Sequence, residues 1–277
     1  MSEKLAILPA TGNENVSEKV AVQIRKMLLS GNRYFGSSGA SLTHQIYDVS
    51  QKTEGLDAKK ASVGLTGERE TTTRLLKWMK KHPNTVLCDS VHVNLYNGEP
   101  DPDYTSEGEE DTGEDELDEE LGYVDSRKDS DHILIVGHNV FVIDSKRWRK
   151  KSMYCFSPKY RVLRNNKHFK GGEVHMNQAL GLWRKYLQSA NRVFGVIVIE
   201  NEEVSTFRNR EWYKAPFKLL DNERFNDWLD EQLENFSEKD LQIIDPNLVA
   251  EVAVSCIKPY SVYNSFIEKA NLGSDFF

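Results

Sequence analysis

Apolar residues recur with helical spacing twice in the first third of the chain. Near the N-terminus they stand three or four positions apart, at Val16, Val20, Ile24, Met27 and Leu28. This spacing predicts an amphipathic helix over about 14–29, followed by a glycine- and serine-rich loop over 30–42. A second helix is predicted to begin near Thr66, a residue type that caps helix N-termini, and to end before Pro83.

The middle of the chain contains the short apolar and alternating runs that are typical of β-strands. One strand is predicted over about 85–95, and two more over 131–136 and 140–146. The last two flank a Gly-His-Asn turn at 137–139, and this arrangement predicts an antiparallel hairpin. Residues 153–163 predict a further pair of short strands.

The second half of the chain returns to alternating helices and strands. Helices are predicted over about 173–190, 221–235 and 245–257, and a buried strand over 193–200. The order α-β-β-β-α-β between about 66 and 200 predicts an α/β fold in which helices flank a mixed sheet.

The composition of the 277 residues, 39% hydrophobic and 29% charged, is that of a globular protein. No apolar run approaches the roughly 18 residues of a membrane span, and the N-terminal apolar patch is too short for a signal peptide. The cysteines, Cys88, Cys155 and Cys256, lie far apart and are odd in number, as in reduced intracellular proteins. We therefore expect a cytoplasmic protein that has no membrane partner.

Acidic residues are concentrated in one segment. From Glu99 to Asp125 the chain has 14 aspartates and glutamates and no lysine or arginine. The segment from about 97 to 128 is therefore predicted to be a disordered insert. The remaining residues carry 36 bases against 29 acids, although the net charge of the whole chain is −7. A basic body suits a polyanionic partner, and the insert either competes with that partner or serves only as a linker.

Strand parity brings two carboxylates and a lysine to one end of the predicted hairpin. Side chains alternate along a strand, so Asp144 and Lys146 point to the same face. With a two-residue turn, Asp131 lies opposite Asp144 or opposite Lys146, and either register puts all three on that face. A three-residue turn without a bulge puts Asp131 on the other face. His132 is expected to point away from this group.

Two carboxylates at such range repel each other unless a cation joins them. Carboxylate oxygens suit Mg²⁺ or Mn²⁺, and such a metal aligns a water molecule and neutralises charge on a phosphate during in-line attack. A neighbouring lysine can orient the water or stabilise the transition state. The alternative is structural: Asp131 and Asp144 are strand-end acids, and Lys146 pairs with one of them across the hairpin.

Glu68 adds a third carboxylate to the candidate group. It shares a helix face with Thr72, Leu75 and Met79, so it stands at the N-terminal end of a buried stripe. A glutamate at that position points toward whatever the helix packs on. The alternative, which the spacing alone favours, is a first-turn acid that interacts with the helix dipole.

These residues together resemble a known family. The matching segments are Thr66-Gly67-Glu68-Arg69, Asp131-His132-Ile133-Leu134-Ile135-Val136, Val140-Phe141-Val142-Ile143-Asp144-Ser145-Lys146 and Gln178. They look like the nuclease-related domain, NERD, of the PD-(D/E)xK nuclease superfamily, over about residues 64–200. The resemblance implies a restriction-endonuclease-like mixed sheet with an αβββαβ core over 61–240, with helical extensions at 1–60 and 241–277.

The resemblance also implies an activity, which is metal-dependent hydrolysis of phosphodiester bonds in DNA. The catalytic residues that it implies are Glu68, Asp131, Asp144, Lys146 and Gln178. The residues that it implies for binding Mg²⁺ or Mn²⁺ are Asp131, Asp144, Ser145 and Glu68. RNA as the substrate stays open, as does a catalytically silent nucleic-acid-binding or interaction module that keeps the fold.

The chain departs from the family pattern directly after Lys146. The family often has asparagine and then glycine there, whereas this chain has Arg147-Trp148-Arg149-Lys150-Lys151. These basic and aromatic residues can contact a phosphate backbone, or they form an ordinary solvated surface. The acidic insert is a second departure, because it precedes Asp131 where a short connection is usual.

Overall fold

The structure, a computed structural model, describes residues 6–7, 18–40, 56–92, 129–148, 152–157, 161–169, 172, 174–187, 189–200 and 215–256. The predicted acidic insert at 97–128 lies outside these residues. Among them, no helix has both the length and the apolar character needed to cross a membrane.

The described residues form helices and strands in alternation. The helices are α1 (Glu18–Leu29), α2 (Leu56–Met79), α3 (Met176–Tyr186), α4 (Asn222–Glu234), α5 (Glu238–Leu241) and α6 (Pro246–Ala253). The strands are β1 (Ala6–Ile7), β2 (Tyr34–Gly36), β3 (Thr85–His92), β4 (Asp129–Val136), β5 (Asn139–Lys146), β6 (Tyr154–Phe156), β7 (Val162–Arg164), β8 (Arg192–Ile199), β9 (Lys218–Asp221) and β10 (Ile243–Ile244). Side-chain oxygens of Asp221, Ser237 and Asp245 cap the three C-terminal helices.

A mixed six-stranded sheet is the centre of the fold, in the order β2-β3-β4-β5-β8-β9. Strands β3, β4 and β5 form an antiparallel meander, and the pairs β2–β3, β5–β8 and β8–β9 are parallel. The predicted order α-β-β-β-α-β is observed as α2-β3-β4-β5-α3-β8, with the small β6–β7 pair between β5 and α3. The α/β class and the mixed sheet flanked by helices are therefore confirmed.

Both faces of this sheet are covered by helices, because its strands present apolar side chains to both sides. Ile133 and Ile135 of β4 pack into the core beside α1, α3 and α6. Leu134 and Val136 of the same strand pack into a second core beside α2 and α4. The alternation along β4 therefore fixes which residues near its N-terminal end face each layer.

The turn between β4 and β5 has two residues, Gly137 and His138. The ladder pairs Val136 with Asn139 and His132 with Ile143. Continuing that register by one residue puts Asp131 opposite Asp144, which is one of the two predicted registers. The three-residue alternative is excluded, since Asn139 belongs to the ladder.

Two predictions near the N-terminal part of the chain are wrong. Helix α2 begins at Leu56 and not near Thr66, so Thr66 lies within the helix. The segment 30–42, predicted as loop, contains β2, which pairs in parallel with β3. Leu65 is buried, so packing favours the helical turn that contains Gly64, although glycine disfavours helix locally.

Helical spacing predicts one face of α3 that carries His175, Ala179, Leu182, Tyr186 and Leu187, and the face that is buried differs from this set. His175 is exposed at the N-cap and Leu182 is only partly buried. The helix buries a stripe of larger residues instead, at Met176, Ala179, Leu180, Trp183 and Tyr186. Trp183 fixes this orientation, because its indole N–H donates to Ser130 Oγ at 2.8 Å inside the core.

Candidate functional site

The predicted carboxylates and lysine meet at the ends of β4 and β5. The backbone N–H of Ser145 donates a 2.6 Å hydrogen bond to Asp131 Oδ2, and Asp144 lies within hydrogen-bond reach of Asp131. Lys146 Nζ lies 2.5 Å from Asp144 Oδ1. The side chains of Asp144 and Lys146 remain 20% and 32% exposed, so the group lies at the protein surface and is open to solvent.

Glu68 approaches the same group from α2. Its side chain is only 3% exposed, and its Oε2 atom is buried without a hydrogen-bond partner. Glu68 lies in the second half of α2, so the interpretation as a first-turn acid at the helix dipole is wrong. The predicted stripe is confirmed, because Thr72, Leu75 and Met79 are all buried.

Two glycines allow the chain to close around Glu68. A Cβ on Gly67 would lie 3.3 Å from Arg147 Cβ, so the missing side chain lets α2 approach the segment after β5. Gly39 has a φ of +73°, and a Cβ there would lie 1.9 Å from Leu65 Cδ1 and 3.7 Å from Glu68 Oε2. Packing therefore explains why glycine precedes Glu68, in addition to the place of Gly67-Glu68 in the family pattern.

Burial and mutual repulsion raise the pKa values of Asp131 and Glu68. Burial and then the charge of Asp144 raise the pKa of Asp131 to about 7. Burial, followed by the charge of Asp131, raises the pKa of Glu68 well above its ordinary range. Burial opposes the charge on Lys146, but Asp144 and Asp131 outweigh it, so the pKa of Lys146 is raised.

These groups fit a divalent cation by their chemistry. Asp131, Asp144 and Glu68 supply hard oxygen atoms, and the unpartnered Oε2 of Glu68 is one that a cation would satisfy. A cation would also relieve the repulsion that raises the pKa values of Asp131 and Glu68. Within the described part of the chain, no three His, Cys, Asp or Glu side chains are arranged as a ready-made metal site.

The remaining predicted site residues are placed differently. Gln178 is exposed on α3, where its Oε1 lies 3.0 Å from His175 Nδ1. Arg147 forms an ion pair with Glu70 at 2.7 Å. Trp148 packs edge-on against Phe169, with ring centroids 5.2 Å apart, and so is part of a local aromatic cluster. Arg149, Lys150 and Lys151 lie outside the described residues.

Sequence reasoning missed a buried polar network behind the site. His132 bridges two elements: its Nδ1 lies 2.8 Å from Asp89 Oδ1 and its Nε2 lies 2.9 Å from Ser145 Oγ. Ser145 Oγ donates to Thr71 Oγ1 at 2.8 Å, and Thr71 donates to Glu200 Oε1 at 2.9 Å. All five residues are at most 6% exposed.

Further polar groups complete this network at both ends. The hydroxyls of Tyr34 and Thr72 donate to Asp89 Oδ2 at 3.0 and 2.7 Å. At the other end, Arg74 donates to Glu200 Oε2 at 2.8 Å. The sequence signal for this network was strand alternation, which correctly predicted that His132 points away from Asp131. Ser145 lies on the same face of the sheet as His132.

No family model, curated protein or solved structure matches this chain. The resemblance to the nuclease-related domain therefore stays a prediction. The chemistry of the site is argued below from the contacts and charges of its own residues.

Proposed function

We propose that this protein is a divalent-metal-dependent nuclease that hydrolyses phosphodiester bonds in DNA through a PD-(D/E)xK-type site. The observation that carries the proposal is the convergence of Asp131, Asp144, Lys146 and Glu68 at the end of the β4–β5 hairpin. The order α2-β3-β4-β5-α3-β8 supports a restriction-endonuclease-like core.

Each residue has a role that follows from its position. Asp131 and Asp144 would hold Mg²⁺ or Mn²⁺, and Glu68 would contribute its buried oxygen atom. When bound, the metal would supply charge neutralisation for the scissile phosphate and a water molecule of lowered pKa. Lys146 stays protonated beside Asp144, so it acts as a hydrogen-bond donor and a positive charge toward the phosphate, and not as a base.

The charge of the chain supports a nucleic acid as the substrate. Outside the acidic segment, bases exceed acids, and Arg147 follows the site directly. DNA is the substrate that we propose, with RNA as an outcome of the test. Arg147 has to exchange its ion pair with Glu70 for a phosphate contact, which an exposed pair permits at small cost.

A second candidate is a catalytically silent nucleic-acid-binding module. Two observations favour it: Lys146 already neutralises Asp144, and the described residues contain no ready-made group of three metal ligands. In that case the carboxylate–lysine group would be a structural ion-pair cluster. The two candidates differ in whether Mn²⁺ binds and whether the DNA backbone is cut.

The deciding experiment is a digestion assay over single-stranded, duplex and branched DNA and RNA, with Mg²⁺, with Mn²⁺ and with EDTA. We expect metal-dependent cleavage of DNA, and a loss of about 10²–10³-fold in rate for Lys146→Ala at nearly unchanged DNA affinity. Lys77→Ala, which removes an exposed lysine of α2, is the matched control and should cleave normally. Intact nucleic acid in every metal arm would favour the silent module.

A further inference from the structure

Each hydrogen bond of the buried network behind the site has a defined donor and acceptor, because each hydroxyl group has only one proton to donate. Glu200 is held as a carboxylate by Arg74, so Thr71 must donate its only hydroxyl proton to Glu200. Thr71 then accepts from Ser145, as the 2.8 Å contact records. Because the Ser145 proton is used in this way, Ser145 Oγ can only accept from His132, and Nε2 of His132 carries a proton.

The other ring nitrogen of His132 carries a proton as well. Asp89 accepts two hydroxyl hydrogen bonds on Oδ2, from Tyr34 and Thr72, which is the pattern of an ionised carboxylate. Nδ1 of His132 faces the second oxygen atom of Asp89 at 2.8 Å, and two acceptors would repel at that distance. His132 is therefore an imidazolium buried in an ion pair with Asp89, and a partner for each N–H offsets the cost of burial.

Asp89, His132 and Ser145 have the composition of a hydrolase triad, but the arrangement does not suit a nucleophile. A triad needs a neutral histidine that accepts the serine proton, whereas here the serine accepts from His132 and donates to Thr71. His132 is completely buried and Ser145 is 6% exposed, so a substrate has no access to them. The network contacts the proposed catalytic residues through backbone hydrogen bonds.

Two backbone contacts join the network to the proposed catalytic residues. The N–H of Ser145 donates to Asp131 Oδ2 at 2.6 Å. The N–H of Glu200, at the other end of the chain of hydrogen bonds, donates to the carbonyl of Lys146 at 2.9 Å. The network thus reaches both sides of the site, at a metal-binding carboxylate and at the lysine.

We propose that the chain Asp89–His132–Ser145–Thr71–Glu200 is a positioning relay that holds Asp131 and Lys146 in register for catalysis. This inference rests on the proposed nuclease function. The relay joins β3, β4, β5 and α2 on the sheet face opposite Asp131 and Asp144, so breaking it at Thr71 loosens the strand ends and leaves the side chains of Asp131, Asp144 and Lys146 in place. Outer hydrogen-bond partners of metal sites typically change affinity or activity by about 10–100-fold when removed.

The test interrupts the relay at Thr71, whose recorded hydrogen bonds go to Ser145 and Glu200 and not to Asp131, Asp144 or Glu68. Thr71→Val keeps the shape and removes the hydroxyl, and Thr71→Ser keeps the hydroxyl. We expect Thr71→Val to lower kcat and Mn²⁺ affinity about 10–100-fold at unchanged DNA affinity, and Thr71→Ser to retain both. Thr73→Val, at an exposed position of the same helix, controls for valine in a helix.

A second readout separates the relay from the nuclease activity. In metal-free protein, the amide proton of Ser145 should resonate far downfield because of its short bond to Asp131. It should move upfield in Thr71→Val and stay in place in Thr71→Ser. An unmoved amide in Thr71→Val overturns the relay whether or not the protein cuts DNA. If the Ser145 amide resonance moves in Thr71→Val but the wild-type protein neither binds Mn²⁺ nor cuts DNA, the relay is supported and the proposed nuclease function is overturned.

The wild-type protein provides a test that needs no variant to fold. Nitrogen-15 shifts of the His132 ring should show both nitrogens protonated, as the direction of the hydrogen bonds requires. A neutral ring whose Nε2 accepts from Ser145 would overturn the relay, as would phosphonylation of Ser145 Oγ by a fluorophosphonate with loss of fluoride, since both belong to a nucleophile.

Discussion

Replacing Asp131 by asparagine should make the metal-free protein more stable while removing its metal binding. The pKa of Asp131 rises from 3.8 to about 7, chiefly through burial and the charge of Asp144. Asparagine keeps an oxygen acceptor for the Ser145 N–H and removes the charge. The substitution thus isolates the electrostatic strain that a cation would relieve in the wild-type protein.

The size and the sign of this stability change follow from the linkage between proton binding at Asp131 and folding. A raised carboxyl pKa in the folded chain contributes stability that is fully present below pH 3.8 and is lost as the pH rises through about 7. At about 1.4 kcal/mol per pKa unit, ionised Asp131 costs the fold up to about 4 kcal/mol at pH 8. Because the carboxylate is partly exposed, we expect Asp131→Asn to recover about 1–3 kcal/mol.

The measurement is thermal and urea unfolding in EDTA at pH 5 and pH 8. At pH 8 the melting temperature of Asp131→Asn should exceed that of the wild type by roughly 3–10 °C, and at pH 5 the gap should narrow. Added Mn²⁺ should stabilise the wild type and leave the variant unchanged. Asp227→Asn, at an exposed position of α4, is the control and should show no pH-dependent gain. Equal or lower stability of Asp131→Asn at pH 8 would refute the account of repulsion between these carboxylates.

Three further outcomes are expected. Asp144→Asn should abolish Mn²⁺ binding measured by calorimetry and free Lys146 from its ion pair, and wild-type Mn²⁺ affinity in this variant would place the metal elsewhere. Gly39→Ala should destabilise the fold by about 2–4 kcal/mol in urea unfolding, because its φ is +73° and the new Cβ meets Leu65; an effect below about 0.5 kcal/mol would contradict that packing. Replacing residues 99–125 by a short Gly/Ser linker should tighten DNA binding at about 50 mM salt, since 14 acids no longer compete for the bases after Lys146, and the gain should shrink as salt rises; unchanged binding would mean that the segment is only a linker.

The hairpin, and the shared face of Asp144 and Lys146, could be predicted from local pattern alone. Strand alternation has a period of two, so the positions of Asp144 and Lys146 on one face followed from their spacing. A two-residue turn left two registers for Asp131, and the ladder selects the one that continues to Asp144. The buried stripe of α2 likewise followed from helical spacing, whereas spacing alone favoured the first-turn interpretation of Glu68 that the structure overturns.

Other elements depend on partners far away in the chain. Strand β2 forms because Tyr34, Phe35 and Gly36 pair with β3, and its own residues are too few to predict a strand. Helix α2 begins ten residues before Thr66 and continues across Gly64, where the burial of Leu65 offsets the helix-breaking tendency of glycine.

The local pattern determined which residues carry the candidate chemistry, whereas tertiary structure decided what surrounds them. Spacing predicted the shared face of Asp144 and Lys146, since both lie in one strand, and the ladder then added Asp131 to them. The partners of His132 come from β3 and β5, and the far end of the relay, Glu200, follows β8. A buried polar group is satisfied only by groups that folding brings to it, so no local spacing reveals this network in advance.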